Sequence, residues 1–180
     1  MLSVAVLTSK RAPGLNELRE RVHVACVLER QAPRRSEREP FDAGTAAMLR
    51  RFHVGAVICL GYLYVITEPL LAAFPDRILN VHDSDLPRYP GLHATRDAIY
   101  AGERETRSSV HLVTPQLDAG PVLARSEAFP VAPFVHEAVA RGEHDIVRAY
   151  AYAQREWMMR STWGALAADA VERLVLEAAA

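Results

Sequence analysis

Val54-Gly55-Ala56-Val57-Ile58-Cys59-Leu60 is a continuous apolar run, rich in β-branched side chains and followed by Gly61. A strand without polar alternation must be covered on both faces, which is what helices do on either side of a parallel sheet. Upstream the same logic repeats. Leu2–Leu7 reads as a strand, Gly14–Arg21 as a helix and Val22–Leu28 as a second strand. Glu29–Phe41, with four arginines and three glutamates, reads as a solvated loop. Asp42 is placed to cap a helix over Ala43–Phe52, where Ala46, Ala47, Leu49 and Phe52 recur near helical spacing. Strands alternating with helices predict an α/β, Rossmann-like fold with a mostly parallel sheet.

Downstream, Tyr62–Ile66 is a hydrophobic connection to a short helix capped by Thr67, with Pro69 in its first turn. Arg77–His82 is the next strand, and its alternation puts Asn80 and His82 on one face at the carboxyl end, where open α/β sheets bind ligands. Turn residues fill Asp83–Leu92, and a helix over Ala94–Ala101 closes at Gly102. Arg107–Val113 and Val122–Val131 read as strands. The connection Thr114–Pro121 is too short for a crossover helix, so this pair is expected to be antiparallel. Glu143–Ala179 reads as helix, broken near Thr162–Gly164.

The chain has 180 residues, half of them apolar, with 22 acidic against 21 basic side chains and a net charge of −1. That predicts one domain over 1–180, able to bury a core without disulfides. Cys26 and Cys59 sit in apolar runs and read as buried structural thiols. A net charge near zero supplies no field for a polyanion, so no nucleic-acid partner is expected. No apolar run approaches the ~20 residues that span a bilayer, so no membrane partner is expected either. The first residues lack a basic export signal, and the expected location is the cytoplasm.

Three readings compete for His82-Asp83-Ser84-Asp85. The Asp and Ser residues are turn formers beside a satisfied histidine. Alternatively, His82, Asp83, Asp85, His93 and His111 are metal ligands, though without compact ligand spacing. In the third reading Asn80 is a donor for a developing oxyanion, His82 a proton carrier and Asp118 a carboxylate that orients it. The chain has no Gly-x-Ser-x-Gly elbow, which favours a mechanism without a protein nucleophile.

Ile78-Leu79-Asn80-Val81-His82-Asp83-Ser84-Asp85-Leu86-Pro87-Arg88-Tyr89-Pro90-Gly91-Leu92-His93 resembles the signature of the 10-formyltetrahydrofolate-dependent formyltransferases. It is most similar to the branch that formylates glycinamide ribonucleotide, whose signature reads Asn-x-His-Pro-Ser-x-Leu-Pro-x-Tyr-Pro-Gly-x-His. Ser108–Val113 followed by Leu117-Asp118-Ala119-Gly120-Pro121-Val122 is similar to that family's second block in order and spacing. The resemblance implies a Rossmann-like formyltransferase fold and a catalytic set of Asn80, His82 and Asp118. It implies 10-formyltetrahydrofolate as cosubstrate and no metal, with an amine as the partner substrate. It also implies a folate cleft between Leu63, Tyr64 and Ile66 and the loop of Val113, Thr114 and Gln116. On the acceptor side it points to Lys10, Arg11, Gly14, Asn16 and Glu156.

Departures from the family pattern qualify the acceptor. Asp83 replaces a proline and Asp85 an apolar residue, setting two carboxylates beside His82 that would raise its pKa or repel an anion. Ala119 replaces a glycine. Ser9-Lys10-Arg11-Ala12-Pro13-Gly14-Leu15-Asn16 stands where the family has Ser-Gly-x-Gly-Ser-Asn, whose amides cradle a phosphate. Pro13 removes one such donor, and Lys10 and Arg11 either substitute side-chain charge or are merely solvated. Hydrolysis of the same cosubstrate, a metal-dependent hydrolase and a silent folate- or nucleotide-binding module are the alternative functions. The oligomeric state is left open.

Overall fold

The computed structural model describes residues 2–31 and 33–177. In chain order the elements are β1 (Ser3–Thr8), α1 (Leu15–Arg21), β2 (His23–Glu29), α2 (Arg38–Arg51), β3 (Ala56–Cys59), α3 (Glu68–Ala73), β4 (Ile78–His82) and α4 (Ala94–Tyr100). They continue with β5 (Glu105–Thr106), β6 (Ser109–Leu112), β7 (Val122–Arg125), β8 (Phe129–Pro130), α5 (Pro133–Ala140) and α6 (His144–Glu177). The main sheet has the order β2-β1-β3-β4-β6-β7, while β5 and β8 form a separate pair. From β2 to β4 the pairing is parallel. β6 is antiparallel to β4 and β7 to β6. This is the mixed, mostly parallel α/β sheet expected.

Alternation within the strands divides the core against the main sheet in two. Val4, Val6, Ile58, Leu79 and Val81 pack with Leu18 of α1 and with Met159, Trp163, Ala167 and Val171 of α6. Ala5, Leu7, Val57, Cys59 and Ile78 pack on the other side with Ala46 and Leu49 of α2, Leu70 of α3 and Tyr62. Successive strand residues face opposite ways, so the run of β3 is buried on both sides, as its lack of polar residues requires.

Several boundaries differ from expectation. The stretch read as a solvated loop ends at Arg35, where a turn of 3-10 helix leads into α2 at Arg38. Pro40 sits in the first turn of α2, where its missing N–H costs no intrahelical bond. Asp42 is therefore not a cap. It is fully buried inside α2, and its Oδ2 accepts 2.7 Å hydrogen bonds from both the N–H and the hydroxyl of Thr67. Thr67 does hold the N-cap position of α3, but its hydroxyl is spent on Asp42. The expected strand Val122–Val131 is two short strands in different sheets, and α5 was not foreseen.

α6 runs unbroken through Thr162–Gly164, with the Thr162 hydroxyl donating back to the Met158 carbonyl at 2.9 Å. The expected end of this helix at Ala179 lies outside the described residues. Gly164 serves packing. A Cβ on Gly164 would collide with the backbone of Gly14, and one on Gly14 with the backbone of Gly164. Gly14 also holds φ of +78°, a left-handed conformation that glycine adopts at least cost. Gly164→Ala is expected to push α1 off α6 and to cost about 1 to 3 kcal/mol by overpacking, read as a lower midpoint in urea unfolding. An unchanged midpoint would show that the two backbones do not touch in solution.

Candidate functional site

A cavity of about 240 Å³ opens beyond the carboxyl ends of β3 and β4. Asn80, His82, His111 and Asp118 line it, together with Leu63, Tyr64, Ile66, Val113 and Thr114. Strand pairing sets the polar group. Asn80 stands opposite His111, and His82 opposite Ser109, in the antiparallel register of β4 and β6. Opposed residues point to one face, so the amide and the imidazole are brought together by the sheet itself.

The His111 ring is buried, and its Nδ1 faces the Leu112 carbonyl at 2.9 Å. That carbonyl accepts only, which assigns the proton to Nδ1 and leaves the lone pair of Nε2 to accept from Asn80 Nδ2 at 3.2 Å. Burial is the main cause pushing the His111 pKa below its ordinary value of 6.5, against opposing help from the Leu112 carbonyl and the Asp118 carboxylate. The amide of Asn80 is thus oriented with one N–H on His111 and the other without a partner among the described residues.

His82 ends β4 with its Nε2 3.3 Å from the Tyr89 carbonyl and its Nδ1 3.9 Å from Asp118 Oδ2. The turn after β4 is knitted to β6. Ser109 donates to the Ser84 carbonyl at 2.7 Å, and the Ser84 hydroxyl lies 2.9 Å from the Tyr89 carbonyl. Asp118 is fixed by the N–H of Gly91 at 2.8 Å. Tyr89 and Asp118 both have positive φ, 53° and 49°. Such non-glycine conformations cost of order 1 kcal/mol or more and persist where surroundings enforce them. Gly120 lets the loop carrying Asp118 fold back, because a Cβ there would strike the Leu112 carbonyl.

Leu63, Tyr64, Ile66, Val113 and Thr114 form the apolar wall, whereas Gln116 is exposed and lies off it, with Pro115 and Leu117 lining the cavity instead. Lys10 and Asn16 are exposed and do not reach the cavity. Arg11 and Glu156 meet each other in a 2.7 Å ion pair, and Gly14 is held against Gly164. The carboxylates beside His82 are not free. Asp83 accepts from Arg155 Nε at 2.8 Å and from the Thr95 hydroxyl at 3.0 Å, while Asp85 pairs with Arg125 at 2.8 Å. The two carboxylates expected to act on His82 or repel an anion are each paired with an arginine.

Two contributors were missed. His111 entered the sequence reading only as a metal ligand, although its place on a strand antiparallel to β4 was the available signal. Arg155, next to Glu156, lines the cavity, and the substitution of Asp83 for proline was the sign that a cation had to stand nearby. Among the described residues no three His, Cys, Asp or Glu side chains gather as metal ligands would, and no helix is long and apolar enough to cross a membrane.

The formyl transferase family matches residues 2–151. Phosphoribosylglycinamide formyltransferase of Escherichia coli (strain K12) is 34% identical over 90 residues, 50% of this chain and 42% of that protein. The enzyme of the same name from Haemophilus influenzae is 30% identical over 111 residues, 61% of this chain and 52% of its own length. The chain thus spans about half the length of these curated relatives. Glycinamide ribonucleotide transformylase 1 from Symbiobacterium toebii superposes with a TM-score of 0.63 at 27% identity, covering 88% of this chain and 86% of that one.

Neutral His111 has a consequence for stability. Its pKa is lowered in the folded state, so the unfolded chain binds the extra proton as pH falls through 6.5, and stability present above that pH is lost below it. Urea midpoints are expected to fall between pH 7 and pH 5, and His111→Gln to reduce that fall. Parallel pH curves for the two proteins would contradict the assignment of a neutral ring.

Proposed function

This chain belongs to the formyl transferase family, and we propose that it transfers the formyl group of 10-formyltetrahydrofolate directly to the nitrogen of a small amine. The observation that carries this reading is the convergence of Asn80, His82 and Asp118 on one cavity with no nucleophile among them. Cys59 lines the same cavity, but burial pushes its thiol up to about 12, so it remains protonated at neutral pH.

The amine nitrogen attacks the formyl carbon, forming a C–N bond while the carbonyl electrons move to oxygen. The free N–H of Asn80 donates to that oxyanion. His82 Nδ1 has no hydrogen-bond partner among the described residues and is the second donor when protonated. Asp118, whose Oδ2 lies 3.9 Å from that nitrogen, takes the proton that the amine sheds, directly or through water. Collapse breaks the bond to N10 of the folate, and that nitrogen receives the proton. The apolar wall of Leu63, Tyr64, Ile66 and Val113 holds the pterin and excludes water, which would otherwise release formate.

Removing one oxyanion donor typically costs about a hundred- to a thousandfold in turnover. Asn80→Ala, His82→Ala and Asp118→Asn are each expected to lower transfer by at least ~100-fold, followed as tetrahydrofolate formed with and without amines. Asparagine tolerates left-handed backbone as aspartate does, so Asp118→Asn removes the charge without straining the loop. Near-full transfer by His82→Ala would overturn the mechanism.

Glycinamide ribonucleotide is expected to be a poor acceptor. Arg11 is held by Glu156, Gly14 is committed to the contact of α1 with α6, and Pro13 lacks a donor, so the loop after β1 offers its phosphate little. Saturation with glycinamide ribonucleotide at micromolar concentration would contradict this.

A further inference from the structure

We infer that Arg155, held in place by Asp83, binds a carboxylate carried by the acceptor amine. The inference rests on the formyl-transfer reading and names the acceptor class of the same site. Arg155 projects from α6 to the cavity with 27% of its side chain exposed, and its Nε donates to Asp83 Oδ2, a carboxylate only 8% exposed. Asp83 is anchored in turn by Thr95. The guanidinium lies 5.8 Å from the centre of the Trp163 ring. Its two terminal nitrogens have no hydrogen-bond partner among the described residues. One edge of the guanidinium is thereby locked and the other is left open.

Position on the sheet assigns that open edge to the acceptor. Tyr62, Tyr64, Ile66 and Val113 belong to the core on one side of the sheet, and Trp163 belongs to the core on the opposite side. His82 ends β4 on the side of the tyrosines, as its alternation with Ile78 and Asn80 requires, and Asp83 next to it turns to Arg155. If the folate occupies the wall of tyrosines, the amine approaches from the side of Arg155 and Trp163. Arg11 on that side is paired with Glu156 and does not line the cavity.

The chemistry selects a carboxylate over a phosphate. A guanidinium edge presents parallel N–H donors that match the two oxygens of a planar carboxylate. With Asp83 against the same guanidinium and Asp118 beside a protonated His82, neither pair carries net charge, and both carboxylates face an incoming anion. A dianionic phosphate meets more repulsion there than a monoanion does. Folate also carries carboxylates on its glutamate tail, but that tail lies away from the reacting formyl end, whereas Asp83 adjoins His82.

The test compares glycine, β-alanine and γ-aminobutyrate with their carboxamides, and with aminomethylphosphonate, at saturating 10-formyltetrahydrofolate. Removing Arg155 alone strands the buried carboxylate of Asp83, so the variants are Arg155→Lys and the double change Asp83→Asn with Arg155→Gln, each checked by thermal unfolding. At least one acid is expected to show a KM about tenfold or more below its amide. In both variants the KM of the acid should rise about ten- to a hundredfold while that of the amide stays nearly constant. Calorimetry of the acids without folate reads the same contact independently of transfer. Arg155-dependent acid binding without any formyl transfer would sustain the carboxylate site and remove the transfer reading. Transfer with equal KM for acid and amide would overturn the inference and leave transfer standing. A preference for aminomethylphosphonate would overturn the carboxylate class. Loss of tetrahydrofolate affinity in Arg155→Lys by the same factor as the acid would assign the contact to the folate tail and overturn it as well.

Discussion

The antiparallel register of β6 against β4 holds the site together. With Asn80 opposite His111, a buried imidazole and an amide share one face, and the state of the ring sets the orientation of the amide. Burial keeps the ring neutral, a neutral ring with its proton on the Leu112 carbonyl keeps an acceptor, and that acceptor turns the amide so that an N–H faces the cavity. A slip of one residue in this pairing would carry the opposing side chain to the other face of the sheet. The hydroxyl of Ser109, next in the same register, secures the turn that presents Tyr89 to His82.

Around this pairing the charges are grouped into ion pairs. Arg11 with Glu156, Asp83 with Arg155 and Asp85 with Arg125 cancel locally, and they join loops to α6 or to β7. On the opposite side Asp42 binds Thr67 through both its N–H and hydroxyl, and Arg38 donates to the Val65 carbonyl at 3.0 Å. These contacts fix the connection after β3, so the apolar wall is held from behind by α2. A wall fixed in this way loses little conformational entropy when a flat ligand docks on it.

Much of this was legible in the chain itself. The apolar run of β3, the alternation that pairs Asn80 with His82 and the short connection that makes β6 and β7 antiparallel all follow from local periodicity and loop length. Local patterns misjudged the elements whose role is set by distant partners. Gly164 looked like a break and is a contact for Gly14, because a helix tolerates one glycine when another backbone needs the space. Asp42 looked like a cap and is a buried acceptor for Thr67, because Pro40 fits the first turn and lets α2 start earlier.

The sequence by itself determined the fold class and the residue types at the end of β4, since periodicity and spacing act along the chain. Only the tertiary structure decided which charges are free and which are consumed. Whether Arg11, Asp83 or Arg155 offers charge to a ligand depends on partners more than seventy positions away, and an ion pair closed across that distance leaves no trace in local pattern.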